Sequence, residues 1–276
     1  MYYLNVHSIF LINKKYKKIF LCTLYNNEAE MAYIHLWRLY DYIDRFVIVT
    51  SNLTYTGLFK NITFQHFEKN IEKFMDKVDI VNFNNKCNID YNKQDAWFNE
   101  NSQRDYAKTF IEENYQPTEL DLLIVVDIDV ILTREGIEYI KNNPPSFFYF
   151  IKGSTYFPNY YHKLEDWNRG LVVRYHKGMK TLSDFRYMKK AKPKILKYDY
   201  NPLRPLITHC SYCFENIEKY KNKLKSFSHK EYNAYPYITN EWIFRSHYSR
   251  LKINIPTVEN DELYEGWANL IPNNKN

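Results

Sequence analysis

The chain has 276 residues, enough for one large α/β domain or two small ones. Hydrophobic residues make up 45% and Phe, Trp and Tyr 18%, so a sizeable core can be buried; with only 6 glycines, and neither G-x-G-x-x-G nor G-x-x-x-x-G-K-[ST] present, a glycine-rich phosphate loop is excluded. The formal net charge of +6 is spread over "KKYKK" (14–18), "MKKAKPK" (188–194) and "KYKNKLK" (219–225), a solvated basic surface with no nucleic-acid module among the lysines, though compatible with attracting a phosphorylated small molecule.

The alternation of elements starts at "KKIFLCTLY" (18–25), a strand, followed by helical spacing of Met31, Ile34, Leu36, Trp37, Leu39 and Tyr40 within 27–43. "RFVIVTS" (45–51) predicts a second strand, "FEKNIEKFM" (67–75) a helix, "KVDIVNF" (77–83) a strand, and 94–115 a long helix. "LDLLIVVDIDV" (120–130) reads as a strand apolar on both faces, as in a buried parallel sheet; a helix over 133–142 and a strand over 146–151 follow. Such alternation specifies a doubly wound, mostly parallel α/β sheet. The second half, rich in Tyr, Pro and Trp, predicts a less regular lobe on the same sheet: a single domain over 1–276, with a ligand-binding half at about 18–150 and an acceptor half at about 151–276.

The four cysteines, Cys22, Cys87, Cys210 and Cys213, do not amount to a disulfide framework. "HCSYC" (209–213) with His229 and His247 lacks the second close ligand pair of a zinc site, and paired or buried thiols packing the core are the simpler reading. The N-terminal apolar stretch is too short to span a bilayer and too interrupted for a signal peptide, which makes the cytoplasm the default compartment and leaves the sequons at Asn52 and Asn61 without consequence there.

The chemistry concentrates at "VVDIDV". Asp127 and Asp129 stand at i and i+2 at the exit of the predicted buried strand, where open α/β sheets bind ligands. Two adjacent carboxylates repel, and manganese or magnesium removes that repulsion while keeping positions open for phosphate oxygens. The pair resembles the D-x-D arrangement of nucleotide-sugar transferases with the GT-A fold. The alternative has Asp129 capping the helix at 133–142 and Asp127 binding a backbone amide. Arg104, within the preceding helix, could hold a phosphate or pair with Glu100 on the surface. In "LEDWNRG" (164–170), Trp167 suits a sugar face, and Asp166, Glu165, Glu231 and Glu241 are candidate bases for an acceptor hydroxyl; Asp166 is preferred over Glu165 because it adjoins Trp167.

Several stretches resemble glycosyltransferase family 17, in the family's order and over roughly residues 20–245: "NNEAEMAYIHLWRLYDYIDRFVIVTSNLTYTG" (26–57), then Trp97, Glu100, Gln103 and Arg104, then "DLLIVVDIDVILT", then "HCSYCF" (209–214) and "KLKSFSHKEYN" (223–233). The family includes a β-1,4-mannosyl-glycoprotein 4-β-N-acetylglucosaminyltransferase. The resemblance implies a GT-A-like fold and metal-dependent, inverting transfer of a sugar, N-acetylglucosamine first, from a UDP-sugar donor to a carbohydrate acceptor. It implies Asp127, Asp129 and His209 at the metal, Arg104 and Trp97 with Asp127 at the donor, and Asp166 or Glu165 in catalysis. A core histidine is the alternative for His209. The family has Glu after the second aspartate where Val130 stands here, which raises a catalytically impaired, sugar- or nucleotide-binding protein as an alternative; a metal-dependent nucleotidyltransferase shares the carboxylate pair. Eukaryotic relatives resemble Golgi membrane proteins, whereas this chain shows no membrane anchor.

Overall fold

A computed structural model describes residues 16–60, 71–83, 95–187 with the exception of 157–162, 205–212 and 217–243; for 156 and 163–168 only the backbone is described. The first strands are apolar on both faces because both faces are covered. In β1 (Ile19–Leu24), β2 (Arg45–Thr50) and β4 (Leu122–Asp127), Ile19, Leu21, Phe46, Ile48, Leu122, Ile124 and Val126 share one core with helices α1 (Ala29–Leu39) and α3 (Arg134–Asn142). The alternate residues Phe20, Cys22, Leu24, Val47, Val49, Leu123 and Val125 join a second core with α2 (Ala96–Tyr115) and α4 (Leu182–Arg186). The strict alternation follows from the period of two along a strand.

β3 is Val78–Asn82, β5 Val130–Leu132, β6 Phe148–Tyr156, β7 Lys163–Arg174 and β8 Ile207–His209. Among the described residues, an eight-stranded sheet runs β3-β2-β1-β4-β7-β6-β8-β5. The β1–β2, β1–β4, β2–β3 and β6–β8 pairs are parallel, and β4–β7, β6–β7 and β5–β8 are antiparallel. This is a mixed α/β architecture compatible with a GT-A-like fold. Both halves of the chain contribute to the sheet, and β6 crosses residue 150.

Two differences from the sequence reading matter. The apolar run at 120–130 is not one strand: β4 ends at Asp127, Ile128 and Asp129 form a turn, and Val130 opens β5. Four strand spacings separate β4 from β5 in the sheet order, about 19 Å if flat, whereas the link from Asp127 to Val130 reaches at most about 11 Å. The sheet therefore curls so that its far edge returns to the end of β4. Secondly, Glu72–Lys77 forms a 3-10 helix where a helix over 67–75 was expected, and 67–70 lie outside the described residues. The expected strand at 146–151 extends to Tyr156. Among the described residues no helix is long and apolar enough to cross a membrane.

Candidate active site

The turn between β4 and β5 faces a pocket of about 1060 Å³. Its floor is Asp127, Ile128 and Asp129; Thr155, Arg169 and His209 from β6, β7 and β8 stand on one side, and Trp97 and Glu100 from α2 on another. A further wall comes from α5 (Ile217–Ser226) and the turns after it, with Tyr220, Lys223, Phe227, His229, Tyr232, Tyr237 and Trp242, and Glu28, Tyr55 and Arg186 also line the pocket.

Asp127 is gripped by two guanidinium groups. Arg104 Nη2 donates to Oδ1 at 2.9 Å and Arg186 Nη1 to the same oxygen at 3.1 Å, while Arg186 Nη2 donates to Oδ2. Burial pushes this carboxyl up, but Arg186 and Arg104 outweigh it and hold it at about 2. Arg104 is itself buried at the back of the site, where it also pairs with Glu100 and donates to Asn101 Oδ1 at 2.6 Å. The Glu100 pair weighed in the sequence reading thus exists, but it is buried rather than superficial.

Asp129 has a separate set of partners. Lys223 Nζ donates to Oδ2 at 3.2 Å and Ser211 Oγ to the same oxygen at 3.0 Å, and His209 Nε2 lies 3.7 Å from Oδ1. Burial again opposes ionisation, yet Lys223 and His209 keep the carboxyl well below the usual range. Lys223 also donates to Glu28 Oε1 at 2.7 Å, and these two carboxylates raise its pKa against the effect of burial. The backbone of the turn is fixed from below by His35 on α1, whose Nε2–H donates to the Ile128 carbonyl at 3.1 Å. His35 is buried and its pKa is pushed down to about 4, chiefly by desolvation.

Asp129 does not cap the following helix. That role belongs to Thr133, whose hydroxyl accepts from Gly136 N at 3.0 Å. Val130, in the place of the family's glutamate, is fully buried in the core and not on the pocket wall. At this position the side chain packs in the core with Ile131 and Leu132.

Among the described residues no three His, Cys, Asp or Glu side chains gather into a closed metal cage. The donor chemistry fits the open kind of site, in which one or two carboxylates share a hard cation with substrate phosphates. Asp127 and Asp129, with His209 beside the latter, would hold such an ion once the basic groups now on their oxygens turned to an incoming anion.

Trp97, Asp127, Asp129 and His209 line the one pocket, with Arg104 directly behind Asp127. The side chains of Glu165 and Asp166 lie outside the described residues. In backbone register Glu165 pairs with Thr155, which pairs with His209, whereas Asp166 pairs with Ser154, which pairs with Thr208. Glu241 is exposed and does not line the pocket. Cys210 is disulfide-bonded and Cys22 is the free cysteine among the described residues, so the Cys210 sulfur is no thiolate ligand for zinc. Sequence reasoning missed Arg186, which lies in no motif, and the roles of Glu28, His35 and Lys223, although these three lay inside quoted runs.

No curated protein matches the chain. Among solved structures, the inositol-1-phosphate CTP transferase from T. maritima is similar at 11% identity, over 69% of this chain and 83% of that one, with a TM-score of 0.28, too slight a likeness to carry an argument. The family model described as glycosyltransferase family 17 matches residues 3–244, which include every element around the two aspartates. This chain belongs to glycosyltransferase family 17 and is a transferase of glycosyl groups.

Proposed function

We propose that the protein transfers a sugar, N-acetylglucosamine first among candidates, from a UDP-sugar to a hydroxyl of a carbohydrate acceptor, with inversion and with a divalent cation, manganese or magnesium. The observation that carries this reading is the meeting of two carboxylates with three cations at one large pocket: Arg186 and Lys223 line it together with Asp127 and Asp129, and Arg104 backs Asp127 from behind. A nucleotide diphosphate would offer Arg186 and Lys223 further partners, because each phosphate presents several anionic oxygens. Were Arg186 and Lys223 to turn to the diphosphate, Asp127 and Asp129 would be left for the cation, with His209 adjacent. The bound ion would supply charge stabilisation for the departing nucleotide. Arg186 and Lys223 would act in the same sense, as cations beside the oxygens that take up negative charge on the leaving group. Trp97 would pack against the donor.

Asp129→Ala should abolish cation-dependent binding of UDP-N-acetylglucosamine while the fold survives, as measured by calorimetry on the folded variant with and without manganese. Unchanged cation-dependent affinity would sink the metal role. No binding of any nucleotide-sugar by the wild type would sink the transferase reading.

A further inference from the structure

We infer that His229, oriented by Glu231, is the base that takes the proton from the acceptor hydroxyl; this rests on the transferase reading above. The two side chains form a dyad, with His229 Nδ1 2.6 Å from Glu231 Oε1. A carboxylate accepts, so Nδ1 carries the hydrogen, and the lone pair is on Nε2. Nε2 has no hydrogen-bond partner among the described residues, and the imidazole lines the same pocket as Asp127 and Asp129. A surface histidine–glutamate pair is the ordinary alternative, since the two side chains are 45% and 59% exposed. Three features set this pair apart from it.

The first is how the imidazole is held. Trp97 packs edge-on against it with centroids 4.6 Å apart, and Phe227 and Tyr232 lie at 5.5 and 5.7 Å. The ring is thus bracketed from several sides while its Nε2 stays open. The second is an anchor to the donor floor. Ser228, the preceding residue, donates its hydroxyl to Glu100, which pairs with Arg104, which binds Asp127. The dyad and the leaving-group floor are therefore connected through three consecutive side-chain contacts. The third is what surrounds it. Tyr232, Tyr237 and Trp242 extend the aromatic wall beyond His229, with Tyr232–Tyr237 and Tyr237–Trp242 centroids at 5.2 and 5.0 Å. Aromatic faces take the apolar faces of sugar rings, so an acceptor sugar lying on this wall presents its hydroxyl beside Nε2.

The step balances without a further reagent. The acceptor oxygen attacks the anomeric carbon as its proton passes to His229 Nε2; the bond from that carbon to the diphosphate oxygen breaks and its electron pair leaves with the nucleotide. Glu231 stabilises the imidazolium formed, and the proton passes to solvent after product release. Glu231 is a positioning residue in this scheme, because it acts through the imidazole.

The test uses the full chain with manganese, a panel of UDP-, GDP- and CMP-sugars, and p-nitrophenyl β-mannoside and N-acetylglucosaminide as acceptor probes. His229→Gln and His229→Ala should bind the donor with wild-type affinity by calorimetry, melt within a few degrees of wild type, and lose turnover by about 10² to 10⁴. Glu231→Gln should lower kcat about tenfold with donor KM unchanged, and Glu231→Asp should restore part of it, a rescue that a merely structural contact would not give. Wild-type turnover in folded His229→Gln, or loss in Asp166→Asn with His229→Gln unimpaired, would overturn the assignment while leaving the transferase reading standing. A wild type that transfers no sugar from any donor in the panel to either probe or to water would overturn both.

Discussion

Two neighbouring aspartates in this protein differ in what neutralises them. Asp127 answers to forked guanidinium groups, which fix its plane, and Asp129 to an ammonium and an imidazole, which do not. Both depend on a turn whose central carbonyl is held by His35. That contact has a pH signature. His35 titrates at about 4 in the folded protein against 6.5 for the free group, so its contribution to stability is complete above 6.5 and is lost as the pH falls towards 4. The full loss is about 3 kcal/mol at most, because each pKa unit corresponds to about 1.4 kcal/mol. His35→Gln, which keeps a donor without titrating, should flatten the denaturation midpoint between pH 6.5 and 4 relative to wild type. An unchanged slope would show that other groups carry the acid sensitivity.

At the scale of elements, the far edge of the sheet is the part that completes the site. β8 brings His209 alongside Val130 of β5 and Thr155 of β6, and it does so at very close range to two glycines. A Cβ added at Gly153 would come 2.2 Å from the Ile207 carbonyl oxygen, and one at Gly136 would come 2.1 Å from that of Leu206. Both contacts are to backbone, which cannot rotate away as a side chain does. Gly153→Ala should therefore cost about 1–3 kcal/mol or more by forcing β8 outward, and it should weaken nucleotide-sugar binding as well, since His209 moves with the strand. Chemical denaturation and calorimetry would report the two effects. A stability loss with wild-type donor affinity would separate β8 from the site.

Over the whole molecule, the pocket draws its walls from residues between Leu24 and Trp242, so no single segment owns it. A ligand there should tie the sheet, α2 and the α5 region together. At a hundredfold excess over its dissociation constant a donor stabilises the folded protein by about 2.7 kcal/mol, which corresponds to a rise in Tm of roughly 5–11 °C for a chain of this size. Thermal melts with a UDP-sugar and manganese should show such a rise. A melt left unchanged by every nucleotide-sugar would contradict the proposed donor.

Much of this was legible in the sequence. The two-faced apolar runs at 19–24, 45–50 and 122–127 specify buried parallel strands, because only covered strands carry Val, Ile and Leu on both sides. The order of motifs pointed to the family, and Trp97, Arg104, Asp127, Asp129 and His209 do meet. Local pattern could not reveal that the run at 120–130 breaks at Asp127, because Val130–Leu132 is as apolar as the strand before it; only the curl of the sheet requires a turn there. Nor could it supply Arg186, 59 residues from Asp127, Lys223, 94 from Asp129, or the pairing of the pocket-lining His229 with Glu231. Periodicity records which face of an element is buried, a property of neighbours along the chain. Which charges finally meet across a pocket depends on how distant elements pack, and that was decided by the tertiary structure alone.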